Sequence, residues 1–400
     1  MKKYDLVVVG AGIVGLAVAR EWLLRHPGAS LLVVEGEADV AAHQTSHNSG
    51  VIHSGVYYEP GSLKARLCVE GSRLMYDYAA EHHIPVERCG KLIVALEDHE
   101  LPRLDELERR GRANEVESLL RVGGERIREI EPRAAGIAAL HSPATGIIDY
   151  AEVARAVRRE LEGHGVEFRF DTWVRAVRQH GSTCRIELPD GEVEADRVIT
   201  CAGLWSDRLA RASGAAEGPR IVPFRGGYLQ LRRTEEPVVR GMIYPVPDPT
   251  LPFLGVHITR HIDGSVSLGP TAMMVGARDG YRVSRVRGRD VWETATWPGS
   301  WRLARRFWRT GVQEMTLAAS RRAFVRQAAR YAPGLTVDDL DGTVHAGVRA
   351  QALGRDGAMV DDFALSTDGP ITHVRNAPSP AATASFAIAR ELVDRVLAAR

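Results

Sequence analysis

Residues 4–15, YDLVVVGAGIVG, and residues 31–35, LLVVE, decide how this chain folds. An apolar strand, Leu6 to Val9, runs into Gly10-Ala11-Gly12-Ile13-Val14-Gly15. A helix-forming stretch follows, and a second apolar strand ends at Glu35. In this pattern the first glycine makes a tight turn, the second leaves room for a pyrophosphate, and the third lets helix pack closely on strand. The helix N-terminus favours the phosphate charge. Glu35 follows Gly15 by about twenty residues, the spacing at which a carboxylate accepts hydrogen bonds from an adenosine ribose. It also argues against a 2′-phosphate there, and so against NADP. A glycine triplet alone is a weak signal. Held between two strands, with an acid at this distance, it specifies a dinucleotide-binding unit.

The 400 residues allow two domains, or one large domain with an insertion. Lys and Arg number 52 against 51 Asp and Glu, so global charge gives no reason to expect nucleic acid. The cysteines, Cys68, Cys89, Cys184 and Cys201, show no CxxC spacing, which suggests neither a redox dithiol nor a metal site. They read as buried thiols of a reducing compartment. No signal peptide precedes the first strand, and the longest apolar run stops at Arg20, short of a membrane span. A cytoplasmic protein is expected.

Leu63 to His83 places Leu63, Leu67, Leu74, Met75 and Tyr78 at helical spacing. Lys91 to Leu96 reads as a short strand, and the charged stretch from Glu97 to Glu131 as helix with a solvated face. Helix from Ala151 to Gly163, strand from Val166 to Phe170, a hairpin around Pro189-Asp190-Gly191 and strand from Arg197 to Cys201 resemble a return to the first sheet. Strand-like segments between 221 and 271, broken by Pro and Asp263-Gly264, indicate antiparallel β structure. A last helix, Ala381 to Ala399, closes the chain.

The opening fingerprint does not separate NAD from FAD. Two later segments bear on it. Glu35 is followed at once by a polar loop, His43-Gln-Thr-Ser-His-Asn-Ser-Gly50, where NAD dehydrogenases usually continue with regular βα units. Asn376-Ala-Pro-Ser-Pro-Ala-Ala-Thr383 opens the final helix, whose free backbone donors would favour the negative charge of a reduced flavin.

HQTSHNSGVIHSGVYYEPGSLKARLC (43–68), PFRGGYLQL (223–231), the stretch 244–270, GVRAQ (347–351) and NAPSPAAT (376–383) together resemble the L-2-hydroxyglutarate oxidase/dehydrogenase family of D-amino-acid-oxidase-like flavoproteins. The resemblance spans nearly the whole chain and is weakest over 281–330. It implies FAD as cofactor and oxidation of L-2-hydroxyglutarate to 2-oxoglutarate. The fold class expected is α/β: a Rossmann-type FAD-binding domain (1–85, 146–218, 341–400) with an inserted α+β substrate domain (86–145, 219–340) built on an antiparallel sheet.

Oxidising a 2-hydroxy acid requires a hydride acceptor, a base for the hydroxyl proton, and cations or strong donors for the carboxylates. Histidine suits the base. His47, His53 and His257 lie in the family-like motifs, with His47 and His53 expected as a pair near the flavin and His53 or His257 closer to substrate. Arg225, next to Gly226, and Arg349, two residues after Gly347, present forks suited to a carboxylate, with Lys64 a third cation. Tyr57, Tyr58 and Tyr244 offer hydroxyl donors. The resemblance assigns the cofactor to Gly10, Gly12, Gly15 and Glu35. It adds Thr45, Ser46, Asn48 and Ser49 at the pyrophosphate and flavin edge. Val174, Ala202 and Gly203 fall at the adenine end, and Gly347, Ser379 and Ala381 at the flavin carbonyl end. No metal is expected.

The stretch 281–330 holds Trp292, Trp297, Trp301 and Trp308 among many arginines. It reads first as a substrate-domain helix packing its Trp face on a sheet. A membrane-surface helix, suited to an enzyme passing electrons to a quinone rather than to oxygen, is the other reading. Alternatives to the leading function are another 2-hydroxy acid or an amino acid as substrate, or a flavin-binding protein without turnover.

Overall fold

The computed structural model describes residues 2–248 and 254–398. Strand Lys3–Val9 sits between Leu31–Val34 and Gly191–Thr200, parallel to both. Glu167–Arg169 and Ile371–Asn376 extend this parallel core on either side. The alternation of side chains explains the continuous apolar run. Leu6 and Val8 face a core shared with helices Ile13–Arg25, Tyr150–Gly163 and Ser385–Ala398. Val7 and Val9 face a second core built with Val177, Ile186 and Val193. Neither face is left for water, so both can be Val and Leu.

The hairpin expected around Pro189-Asp190-Gly191 joins Thr183–Leu188 to Gly191–Thr200. That second strand is long enough to pair with the hairpin at its start and with Ile371–Asn376 at its end.

A nine-stranded sheet carries the remaining β structure. It is antiparallel apart from one parallel pairing, of Met242–Pro245 with Lys91–Ala95. That pairing ties the chain before residue 146 to the chain after 220. Strand Leu340–Leu353 also belongs here, paired along Arg220–Leu231. A boundary at 341 therefore cuts through this sheet, and the chain rejoins the first sheet only at Ala364–Asp368. The helical reading of 97–131 also needs correction, because Leu120–Gly123 pairs as a strand between two helices.

Trp297 packs as a core residue and donates from Nε1 to the Leu353 carbonyl at 3.0 Å. Trp292, Trp301 and Trp308 are instead 69, 67 and 60% exposed, so the expectation of a packed Trp face holds for one ring of four. Helix Pro298–Ala319 buries only Gly299, Ser300 and Leu303, which turns its other faces to solvent. No helix among the described residues is long and apolar enough to cross a membrane.

Candidate functional site

The glycine turn is wedged between neighbouring strands. Gly10 N–H donates to the Val34 carbonyl and Cys201 N–H to the Val9 carbonyl, at 2.8 and 2.7 Å. A Cβ on Gly10, whose φ is +105°, would stand 2.4 Å from the Cys201 carbonyl oxygen, and one on Gly15 would stand 2.0 Å from that of Gly10. These two glycines answer to the protein's own packing. Gly12 does not: a Cβ there meets only Thr45 Oγ1, at 3.4 Å. Its missing side chain leaves space at the helix N-terminus, where Gly12 is the N-cap residue and has no side chain to accept a backbone N–H. That is the space a pyrophosphate needs. Glu35 ends the second strand with one carboxylate oxygen accepting from Ala11 N–H at 2.6 Å and the other from Glu37 N–H at 3.0 Å.

From this turn a cavity of about 1370 Å³ runs to the nine-stranded sheet. Ordinary small-molecule pockets hold about 300–1,000 Å³, so there is room for a dinucleotide together with a small substrate. Gly10, Gly12, Gly15, Glu35, Thr45, Asn48, Ser49, Val174, Ala202, Gly203, Gly347, Ser379 and Ala381 all line it. So do His47, His53, His257, Tyr57, Tyr58, Lys64, Tyr244 and Arg349.

Two expected residues are absent from the lining. Ser46 is exposed and turns its hydroxyl back to the His43 carbonyl and His47 Nδ1. Arg225 lies between Gly226 and its neighbours on one strand. Strand alternation sends Gly226 and Tyr228 to the cavity and Arg225 to the opposite face. There its Nε donates to the Tyr281 carbonyl at 3.0 Å. Arg225 thus holds the main chain at Tyr281 and does not line the cavity.

The loop after Glu35 is held by its own side chains. Thr45 Oγ1 accepts from Ile13 N–H at 3.0 Å, at the first turn of the helix. Asn48 donates to the Gln44 and Thr45 carbonyls and accepts from Gly50 N–H. Gly347 lets the opposite strand approach, since its Cβ would stand 2.4 Å from the His47 carbonyl oxygen. His47 and His53 both line the cavity but have different partners. His47 stacks on Tyr281 with ring centroids 4.0 Å apart and donates from Nδ1 to the His43 carbonyl. His53 N–H donates to Thr383 Oγ1, which also bonds the Tyr150 hydroxyl and the Val51 carbonyl. Thr383 thus pins the histidine loop to the segment before the last helix. That helix starts at Ser385, not Ala381, so residues 379–384 approach the cavity as turns.

His257 is buried and stacks on Tyr244 at 3.9 Å. Its Nδ1 donates to the Gly255 carbonyl at 3.0 Å, which fixes the tautomer and leaves Nε2 as the acceptor. His53 Nδ1 is shielded from water and has no hydrogen-bond partner among the described residues. Burial first, then Lys91, His257, Lys64 and Arg349, pushes His53 down to about 3. Burial, with Arg349 and Lys91 adding to it, pushes His257 down to about 3 against the Gly255 bond. Both imidazoles stay neutral at physiological pH.

This predicts a pH dependence of stability. Below 6.5 the unfolded chain takes up protons that the native histidines refuse, so stability is complete above 6.5 and drains as pH falls toward 3. Each histidine contributes a slope of up to about 1.4 kcal/mol per pH unit. Thermal unfolding of the FAD-free protein between pH 6.5 and 5, above the carboxylate range, shows the fall, and the H53Q/H257Q double variant makes it shallower, the remainder coming from His141, His261 and His373, which burial also pushes down. An unchanged slope in that variant refutes the assignment.

Lys91 went unnoticed in the sequence although it is a charge at the head of an otherwise apolar strand, KLIVA. It is buried, with Nζ 4.6 Å from the Tyr57 ring centroid and 5.1 Å from that of Tyr244. Trp173 and Trp205, edge to face at 5.0 Å beside Gly36, also line the cavity near Glu35 and carried no sequence signal.

The family model described as FAD dependent oxidoreductase matches residues 5–395. The chain belongs to that family. It is 46% identical to the mitochondrial L-2-hydroxyglutarate dehydrogenase of Nematostella vectensis, covering 98% of this chain and 90% of the relative. With the enzyme of that name from Homo sapiens it shares 44% identity, over 98% of this chain and 88% of the relative. Both agree with the family that the sequence motifs resemble. Among solved structures, the dithionite-reduced L-alpha-glycerophosphate oxidase from Mycoplasma pneumoniae with FAD bound superposes with a TM-score of 0.80 at 22% identity, covering 99% of this chain and 95% of that one. Glycine oxidase from Geobacillus kaustophilus gives 0.72 at 18% identity, covering 100% and 95%. At these identities the structures speak for the fold alone. FAD dependence rests on the family match, and the free space at Gly12, the helix start that lines the cavity and the size of the cavity fit it.

Proposed function

We propose that this protein oxidises L-2-hydroxyglutarate to 2-oxoglutarate. The observation that supports the reading most is the cationic end of the cavity, lined by Arg349 and Lys64, with Lys91 buried behind the Tyr57 and Tyr244 rings, around two neutral histidines. Such an end suits a dianion, and the relatives at 46 and 44% identity bear the name of this activity. Bound FAD supplies the hydride acceptor.

The chain's residues do the rest. Arg349 presents a planar fork to one carboxylate, and Lys64, whose Nζ also donates to the Asp361 carbonyl at 3.0 Å, adds charge beside it. The Tyr57 hydroxyl, buried with no partner among the described residues, donates to a substrate oxygen. His257 takes the hydroxyl proton on Nε2, because Nδ1 is committed to Gly255. His53, whose Nδ1 has no partner among the described residues, lines the same cavity beside His257 and helps hold the substrate.

Anaerobic addition of L-2-hydroxyglutarate bleaches the yellow holoenzyme, whereas glycine leaves it oxidised. Bleaching by an amine alone overturns the substrate, and no bleaching with any donor favours a binding protein without turnover. Reoxidation with oxygen or a quinone then identifies the acceptor. The quinone reading is favoured by Trp301 and Trp308, exposed among Arg302, Arg305, Arg306 and Arg309, a surface suited to an anionic membrane face.

A further inference from the structure

A lysine is seldom buried unless it is paired. Lys91 is 1% exposed, and among the described residues no carboxylate and no hydrogen-bond acceptor meets its Nζ. What it meets is the rings of Tyr57 and Tyr244, at 4.6 and 5.1 Å, with His53, His257 and the Cys68 thiol as the other titrating groups around it. Ring contacts offset only part of the cost of removing an ammonium from water. Yet Lys91 lies in the middle of the sheet, where the register sets it between Met242 and Ser142 and an apolar side chain would serve packing better.

The ammonium sits against rings whose other parts line the cavity. Tyr57 Oη is buried, with no partner among the described residues. A cation on the ring draws electron density from the phenol and makes its O–H a stronger donor toward an anion in the cavity. We propose that Lys91 is a positioning residue for the substrate's second carboxylate, acting through the Tyr57 hydroxyl and giving the cavity its preference for a dicarboxylate over a monocarboxylate. The inference rests on the dicarboxylate reading above and adds the group that enforces it.

Burial pushes Lys91 down to about 8, so it carries its charge at pH 7 and gives it up on the alkaline side. The sign for stability follows. The unfolded lysine titrates near 10.5, so a charged Lys91 penalises the fold below about 8, and the penalty fades as pH rises toward 10.5. Lys91→Met is therefore expected to raise the Tm of the holoenzyme at pH 7 while weakening substrate binding. A lysine that merely held up the sheet would do the reverse.

The test titrates the holoenzyme with glutarate and with pentanoate, following the flavin absorbance. At pH 7, K91M is expected to weaken glutarate binding by ~10-fold and pentanoate by less than ~3-fold. Wild-type glutarate affinity falls between pH 7 and 9, and in K91R, whose charge does not titrate, it stays level. Y57F and the Y57F/K91M double variant lose the same affinity if Lys91 acts through Tyr57. Equal loss for both probes, no loss, or a lowered Tm in K91M overturns the proposal. Wild-type enzyme that does not bind glutarate overturns the dicarboxylate reading itself, and this proposal with it.

Discussion

Replacing His257 with glutamine is expected to lower kcat/KM for L-2-hydroxyglutarate by roughly 10²- to 10⁴-fold, the range a positioned general base contributes. Glutamine is close in size and can still donate to the Gly255 carbonyl, so the purified variant stays yellow and its KM moves little. The single-turnover rate of flavin reduction separates the proton step from product release. A variant within tenfold of wild type would place the base elsewhere, with His53 the next candidate. Burial already holds His257 neutral, at about 3, so the wild-type kcat/KM profile shows no limb near pH 6.5, where a solvent-exposed histidine base would titrate.

A second large effect is expected at the other end of the cavity. Gly12→Ala adds a Cβ that touches only Thr45 Oγ1, at 3.4 Å, so the apoprotein keeps its Tm. The same methyl group stands where the pyrophosphate must approach the backbone, and FAD affinity falls by ~100-fold or more, equivalent to about 2.7 kcal/mol. Gly10→Ala is the contrast. Its Cβ would press on the Cys201 carbonyl oxygen at 2.4 Å with φ at +105°, so both the apoprotein Tm and FAD binding drop. Differential scanning fluorimetry of the apoproteins, followed by FAD titration, distinguishes the two glycines. Equal Tm losses in both variants would mean that Gly12 too serves packing rather than the cofactor.

The sequence by itself determined the nucleotide-binding unit. The turn from Gly10 to Gly15, the strands on either side and Glu35 interact within a few residues or across one βα unit, so local pattern is enough to specify them. The motifs around His53, His257 and Arg349 likewise named the family that the relatives then agreed with. Only the tertiary structure decided which way side chains face and which distant strands meet. Arg225 looked like a carboxylate anchor beside its glycines. The phase of a twelve-residue strand, set by its pairing with Leu340–Leu353, turns it away from the cavity. His47 and His53 are close in sequence, yet one stacks on Tyr281 and the other bonds Thr383 through its backbone N–H, partners more than 200 residues away. Lys91 had no signal in its own neighbourhood beyond its charge. It meets Tyr57 and Tyr244 because strand Met242–Pro245 pairs with Lys91–Ala95 across a separation of some 150 residues. Turn geometry is encoded within reach of the turn. Burial, facing and the company of charges depend on long-range register, which no stretch of this sequence specifies alone.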